Sequence, residues 1–152
     1  MRSIRLSEVR PMFTDVASEI ELGRNLTNET RQPVRALVAD DFPHMQQALV
    51  ACVQTIPGIE VVATALNGQE ALDKAHATAL QLAIIDLQMP VMDGFKLLRE
   101  LRRVYPAMYL VAVSGHSNAA VTSEAIAAGA DVFVSKNELP FGLVSAVEKL
   151  LQ

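Results

Sequence analysis

Four short stretches of the chain carry side chains that could do chemistry, and each directly follows an apolar run. They are Asp40-Asp41, Asp86, Ser114 and Lys136. The apolar runs predict buried strands, and the carboxyl ends of parallel strands meet at the rim where open α/β sheets place their active sites. Each feature alone has an ordinary explanation, since acids and serines cap helices and a lysine can extend into solvent. Four of them at one rim favour a functional site.

The chemistry that these side chains favour is acceptance of a phosphoryl group by a carboxylate. Three carboxylates brought within a few ångströms repel each other, and at least one takes up a proton unless a cation joins them. Mg²⁺ suits such a cluster because it binds one or two protein carboxylates together with waters and a phosphate oxygen. We therefore predict that Asp86 is the nucleophile, that the metal and Lys136 neutralise charge on the phosphoryl oxygens, and that Ser114 donates a hydrogen bond to one of them.

The elements that must position these side chains alternate regularly from Val34 onward. Five apolar runs (34–39, 59–63, 82–85, 108–113 and 131–135) alternate with five helical patterns, the fourth over 119–128 and the fifth beginning at Pro140. Strict alternation predicts an α/β fold with right-handed crossovers and a doubly wound parallel sheet that carries helices on both faces. The second run ends in Thr64-Ala65-Leu66, which carries no charge.

The composition limits the classes of function. The chain has 152 residues, of which 51% are hydrophobic and 20% charged, and its net charge of −4 argues against a surface that binds nucleic acid. The single cysteine, Cys52, excludes a disulfide framework and is expected to be a core residue. No apolar run is long enough to span a membrane, and the N-terminus lacks a signal-peptide pattern. These features predict a cytoplasmic protein.

Residues 1–33 differ from the rest of the chain and are predicted to be an N-terminal extension to a domain over 34–152. Five arginines and five acids cancel there, so no basic tail points to DNA or a membrane. Two interpretations stay open: an amphipathic helix followed by a polar linker, or a disordered leader. The helix would carry its apolar residues at helical spacing: Val9, Met12, Phe13, Val16 and Ile20.

From about Val34 to its end, the chain resembles the receiver domain of two-component response regulators. The resemblance rests on the acid pair, on Asp86 with Met89-Pro90 and Asp93-Gly94, on Asn67-Gly68-x-Glu70-Ala71-Leu72, and on Ser114, Gly129-Ala130 and Lys136. It implies a flavodoxin-like sheet of order 2-1-3-4-5. It also implies that Mg²⁺ is held by Asp41, Asp86 and the main-chain carbonyl of Gln88, with Asp40 assisting. A sensor histidine kinase or a phosphotransfer protein would phosphorylate Asp86. That strand order leaves the second strand at an edge, where it should contribute nothing to the site.

The resemblance also implies a switch. In the family a Ser or Thr moves toward the phosphoryl group and an aromatic residue on the fifth strand turns inward behind it, and these roles fall to Ser114 and Phe133. The surface of the fourth helix, fifth strand and fifth helix would then change its affinity for a partner. Phe133 as an ordinary core residue is the alternative. Phe133→Ala would uncouple partner binding from phosphorylation if Phe133 is a switch.

The resemblance bears on three further positions. Gln88 and His116 lie two residues beyond the phosphoacceptor and the hydroxyl, where the family sets how long the phosphoryl group survives. Lys136 is followed by Asn137, where the family often has a proline after a cis peptide bond. A cis bond before a residue other than proline costs roughly 3 kcal/mol, so its isomer stays open.

The leading functional hypothesis is a stand-alone receiver that signals by contact with an unidentified downstream protein or relays its phosphoryl group. Residues 1–33 are a candidate partner-binding or dimer element, so a homodimer stays open. One rival is the receiver fragment of a longer DNA-binding regulator, because the sequence stops after the fifth helix. Another is a protein-binding module that works without phosphorylation, although the intact acids and lysine argue against it. An enzyme acting on small molecules is disfavoured, since neither dinucleotide nor P-loop glycine patterns occur.

Overall fold

The computed structural model describes residues 32–152, so the predicted N-terminal helix lies outside the described residues. Residues Val34–Gln152 form one compact unit. Its strands are β1 (Val34–Ala39), β2 (Ile59–Ala65), β3 (Leu82–Asp86), β4 (Tyr109–Ser114) and β5 (Val132–Ser135). Its helices are α1 (Pro43–Gln54), α2 (Gly68–Ala77), α3 (Gly94–Val104), α4 (Ala119–Ala128) and α5 (Phe141–Leu150), with a short 3₁₀ helix at Lys136–Glu138.

All four strand pairs are parallel and the strand order is β2-β1-β3-β4-β5, which confirms the flavodoxin-like prediction. Two hydrophobic clusters cover the faces of the sheet. Ala36 and Val38 belong to the cluster under α1 and α5, whereas Leu37 and Ala39 belong to the cluster under α2, α3 and α4. Because both faces are covered, the strands read as continuous apolar runs. Cys52 is buried in the first of these clusters, as predicted.

The register of the three central strands brings the predicted site together. Ala39 pairs with Ile85, and Asp86 pairs with Val113, so Asp40 and Ser114 follow one residue beyond these pairs. Each of these side chains therefore leaves the sheet at the same rim.

The observed ranges of β1 and α4 are those predicted. The boundaries of the other four strands differ from the predicted ones by one or two residues. The fifth helix was predicted to begin at Pro140. In the structure Pro140 is the residue before the first turn, and α5 begins at Phe141. The cis peptide bond of the described residues lies at Leu139–Pro140, so the Lys136–Asn137 bond is trans. Among residues 32–152, no helix has the length and apolar character needed to cross a membrane.

Candidate functional site

Three carboxylates meet at the carboxyl-end rim of the sheet. Asp40, Asp41 and Asp86 each offer an oxygen, and these atoms lie within 4.8 Å of one another. Asp40 is completely buried and Asp86 is 3% exposed, whereas Asp41 is open to solvent. Two of the three charges are thus removed from water, where ionised carboxylates repel each other most strongly.

Lys136 supplies a positive charge to this cluster. Its Nζ lies 2.9 Å from Asp40 Oδ2 and 3.5 Å from Asp86 Oδ1. The contact with Asp40 is one of charge alone, because within residues 32–152 no hydrogen-bond donor is aligned with that buried oxygen. One ammonium therefore offsets three carboxylates only in part, and a buried oxygen keeps its capacity to bind a further cation.

Burial and the crowding of negative charge in the cluster raise the pKa of Asp86. Burial, followed by repulsion from Asp40, raises the pKa of Asp86 from 3.8 to about 6, although Lys136 and the main-chain amide of Gln88 act in the opposite direction. That amide donates to Asp86 Oδ1 at 3.3 Å. In the absence of a second cation, this carboxyl group therefore retains its proton more readily than an ordinary aspartate.

Local turns fix the acids. Asp40 Oδ1 accepts a hydrogen bond of 2.9 Å from the main-chain amide of Phe42, which closes a turn directly after β1. Beyond β3, the Gly94 amide donates to the Leu87 carbonyl at 3.0 Å, and a methyl group at Gly94 would overlap the Asp86 carbonyl oxygen. A glycine is thus required where α3 begins against the strand that carries Asp86.

Lys136 is held by a feature that we did not predict. It begins the short 3₁₀ helix, and the residue before it closes a capping box: the Ser135 hydroxyl accepts from the Asn137 amide at 3.1 Å, while the Ser135 amide donates to Glu138 Oε1 at 3.0 Å. The pattern Ser-x-x-Glu is a known signature of this box, so the sequence carried the signal.

Ser114 is 1% exposed and ends β4. Its hydroxyl oxygen accepts a hydrogen bond of 3.0 Å from the main-chain amide of His116. His116 and Gln88 are both exposed at the rim. Phe133 is partly buried, lies in register with Ala112, and packs on the cluster under α4.

The segment after β2 contacts the loop next to the acid cluster. The strand itself lies at the sheet edge, as predicted, and none of its residues belongs to the acid cluster. The main-chain amide of Gly68 donates to the carbonyl oxygen of Met92 at 3.1 Å, and Met92 lies in the loop that follows Asp86. The first turn of α2 therefore contacts the loop beside the acid cluster.

Comparison with known proteins places this fold and site in a family. The model of the response regulator receiver domain matches residues 36–148, and the chain belongs to that family. A protein-glutamate methylesterase/protein-glutamine glutaminase of Symbiobacterium thermophilum is 35% identical over 122 residues, which are 79% of this chain and 33% of that protein. The chain thus spans about a third of the length of this relative.

Solved structures agree with this assignment. The response regulator domain of Thermotoga maritima CheB is 30% identical, with a TM-score of 0.69 over 80% of this chain and 96% of that one. The signal receiver domain of the putative response regulator NarL from Mycobacterium tuberculosis is 28% identical, with a TM-score of 0.73 over 79% and 97% of the two chains. The similarity to the methylesterase is therefore confined to a receiver-sized part of it.

Proposed function

We propose that this protein is a phosphoacceptor receiver in which Asp86 takes a phosphoryl group from a histidine kinase, a phosphotransfer protein or a small phosphodonor. The observation that supports this most directly is the cluster of three carboxylate oxygens within 4.8 Å of one another, with Lys136 Nζ 2.9 and 3.5 Å from two of the acids. A purely structural rim would place uncharged groups here, since buried like charges destabilise a fold.

The residues present fit a hard divalent cation. All donors are carboxylate or carbonyl oxygens, the ligands that Mg²⁺ prefers, and one buried oxygen of Asp40 receives no hydrogen bond from the residues that the structure describes. Asp41, Asp86 and the main-chain carbonyl of Gln88 would hold Mg²⁺, with Asp40 assisting. When bound, the metal neutralises charge on the acids and on the phosphoryl oxygens.

The transfer itself needs little covalent chemistry from the protein. A carboxylate oxygen of Asp86 forms a bond to phosphorus while the phosphorus–nitrogen bond of the donor phosphohistidine breaks, and the departing imidazole nitrogen takes up a proton. Lys136, already near Asp86, pairs with one phosphoryl oxygen, and the Ser114 hydroxyl donates to another. Hydrolysis of the acyl phosphate by water returns the free carboxylate and phosphate.

The phosphorylation signal would leave the site through Ser114. To donate to a phosphoryl oxygen its hydroxyl must reorient, and it now accepts from the His116 amide. Phe133 packs on the cluster under α4, a helix whose buried residues are two small ones, Ala125 and Ala128, so a turned ring would repack a helix that is weakly anchored. The surface of α4, β5 and α5 would bind the downstream protein, and the exposed Gln88 and His116 would tune the lifetime of the phosphoryl group.

On this proposal the only reactions of the chain are its own phosphorylation and dephosphorylation. The methylesterase activity named for the relatives is not proposed for it, because the shared part is the receiver. A receiver within a longer DNA-binding regulator would use the same site chemistry. A phosphorylation-independent binding module would not.

The test is the intact mass of the protein after incubation with acetyl phosphate and Mg²⁺. We expect the wild type to gain one phosphoryl group, and Asp86→Ala or wild type in EDTA to gain none. Asp73→Ala, which removes an exposed carboxylate on α2, is the matched control and should behave as the wild type. A wild type that stays unmodified with acetyl phosphate and with a histidine kinase would overturn the proposal in favour of the binding module.

A further inference from the structure

The loop between β3 and α3 contains a strained turn next to the acid cluster. The main-chain amide of Met92 donates to the Pro90 carbonyl at 2.7 Å, and Val91 between them has a φ of 70°. This combination is a γ-turn with a positive central φ, a rare and strained conformation. A β-branched residue is especially unfavourable there, and Val91 is also 80% exposed. Valine gains little from burial at this position, so packing of its own side chain does not explain the turn.

The turn is stabilised from both sides by buried neighbours. Met89 and Met92 are 8% and 9% exposed and belong to the cluster under α2, α3 and α4. With both side chains inserted, the backbone between them must reverse within Pro90 and Val91. The reversal directs the Met92 carbonyl toward α2, where it accepts the 3.1 Å hydrogen bond from the Gly68 amide.

The start of α2 leaves no room for another residue type at this contact. A methyl group at Gly68 would overlap the Met92 carbonyl oxygen. The turn of α2 is itself held firmly, because Asn67 Oδ1 accepts from the Glu70 amide at 2.8 Å and Glu70 Oε1 accepts from the Leu66 amide at 2.7 Å. The loop therefore rests on an anchored helix start, and a change at Gly68 must displace the loop.

We propose that Gly68 is a positioning residue for the cation site: through Met92 it holds the loop after Asp86 in the strained conformation that presents the Gln88 carbonyl to the metal. The proposal rests on the proposed function, since it concerns the same Mg²⁺ site. Gly68 itself lies outside the acid cluster, and the atoms nearest to a methyl group added there all belong to Met92. Val91 stores the strain that this contact maintains.

The experiment measures Mg²⁺ affinity by calorimetric titration in wild type, Gly68→Ala and Gly58→Ala. Gly58 is the matched control: its φ of 87° makes alanine strained, but among the described residues an added methyl would meet no atom within 4 Å. Both variants should lose stability in urea denaturation. Only Gly68→Ala should bind Mg²⁺ more weakly, by roughly tenfold, as is usual when a residue that orients a ligand is changed.

Val91→Gly gives a second, independent arm. Glycine adopts a positive φ without strain, so the double variant Gly68→Ala/Val91→Gly should recover part of the lost affinity, because its loop can adjust to the displaced Met92 carbonyl. Strictly additive effects of the two substitutions on affinity would contradict a mechanical link between them.

The outcomes separate the two proposals. If wild type binds Mg²⁺ and folded Gly68→Ala binds it as tightly, the positioning role of Gly68 is wrong and the phosphoacceptor function stands. If Gly58→Ala weakens binding equally, the effect reflects general instability and the positioning role is again wrong. If the wild type binds no Mg²⁺, both proposals fall.

Discussion

One arginine at the amino ends of β4 and β5 is surrounded by acceptors that each receive a hydrogen bond, whereas one lysine at the opposite rim faces three carboxylates. The guanidinium of Arg102 donates, at 2.8 to 3.1 Å, to the carbonyl oxygens of Pro106, Met108 and Gly129 and to the Asp131 carboxylate. The same Asp131 oxygen accepts the Leu110 amide at 2.8 Å. Lys136 has two acids within 3.5 Å, and a third lies within the cluster.

The two ends of the sheet differ in how well positive charges and hydrogen-bond donors match the negative charges and acceptors. At the amino end, charge and hydrogen-bond donors match the acceptors, so the network connects α3 to the loop before β5 and stabilises the fold. At the carboxyl end, negative charge exceeds positive charge, and in the described part of the chain no donor is aligned with a buried oxygen of Asp40. That imbalance destabilises the isolated domain, and under the proposed function it favours the binding of a cation at this rim. The comparison can be tested at each end separately.

The largest expected effect belongs to Arg102. Arg102→Ala should lower the free energy of unfolding by about 3 kcal/mol, because several partly buried acceptors lose their donor at once. Urea denaturation measures this, and Arg103→Ala, which removes only an exposed ion pair with Glu100, should leave stability unchanged. Folded Arg102→Ala should still accept a phosphoryl group on Asp86. A stable Arg102→Ala protein would contradict the structural role of this network.

A smaller effect is expected from Asp86 in metal-free protein. Its pKa of about 6 in the folded state lies above the ordinary 3.8, so folding takes up a proton between these pH values. The stability of the wild type should therefore fall as the pH rises from about 4 to about 6, whereas Asp86→Asn should not show this loss. A shift of this size corresponds to at most about 3 kcal/mol, and we expect about 2 kcal/mol after allowing for water at the rim.

The measurement is the difference in unfolding free energy between Asp86→Asn and wild type, in EDTA, at several pH values. The difference should grow with pH in favour of the variant, and Mg²⁺ should reduce it, because a bound cation compensates the wild-type carboxylate. A difference that is independent of pH would mean that the folded protein does not perturb Asp86, and the contrast between the two ends of the sheet would lose its electrostatic basis.

Much of the fold and of the acid cluster could be predicted from sequence for a common physical reason. Strands buried on both faces must be apolar throughout, so their ends are visible as the first polar residue. Asp40, Asp86 and Ser114 are such residues, and the parallel topology then requires them to share a rim. The order of the strands could be predicted only from the family resemblance, since the alternation of strands and helices alone does not specify it.

The contacts that support the site could not be predicted in the same way. Gly68 and Met92 meet because a loop and a helix start from different strands approach each other, and no periodicity records that approach. Arg102 and Gly129 are 27 residues apart, and an arginine on a helix ordinarily predicts only a solvated side chain. The capping box at Ser135 is different, because its signature lies within four consecutive residues, Ser135 to Glu138, and can be recognised from the sequence alone.

The smallest expected effect sharpens the comparison at the amino end. The Tyr105 hydroxyl lies 3.2 Å from the Ala75 carbonyl oxygen and 2.6 Å from His76 Nδ1, near the start of β4 and far along the chain from the acids. Tyr105→Phe keeps the ring packing but removes these hydrogen bonds, so it should lower the free energy of unfolding by about 0.5 to 1 kcal/mol. Urea denaturation measures this, and Thr55→Val, which removes the Thr55 hydroxyl donor to Cys52, is a control of similar size at another helix end.

Neither variant should change the rate at which Asp86 is phosphorylated. A changed rate in Tyr105→Phe alone would show that the two ends of the sheet are coupled, and their roles would no longer be separable.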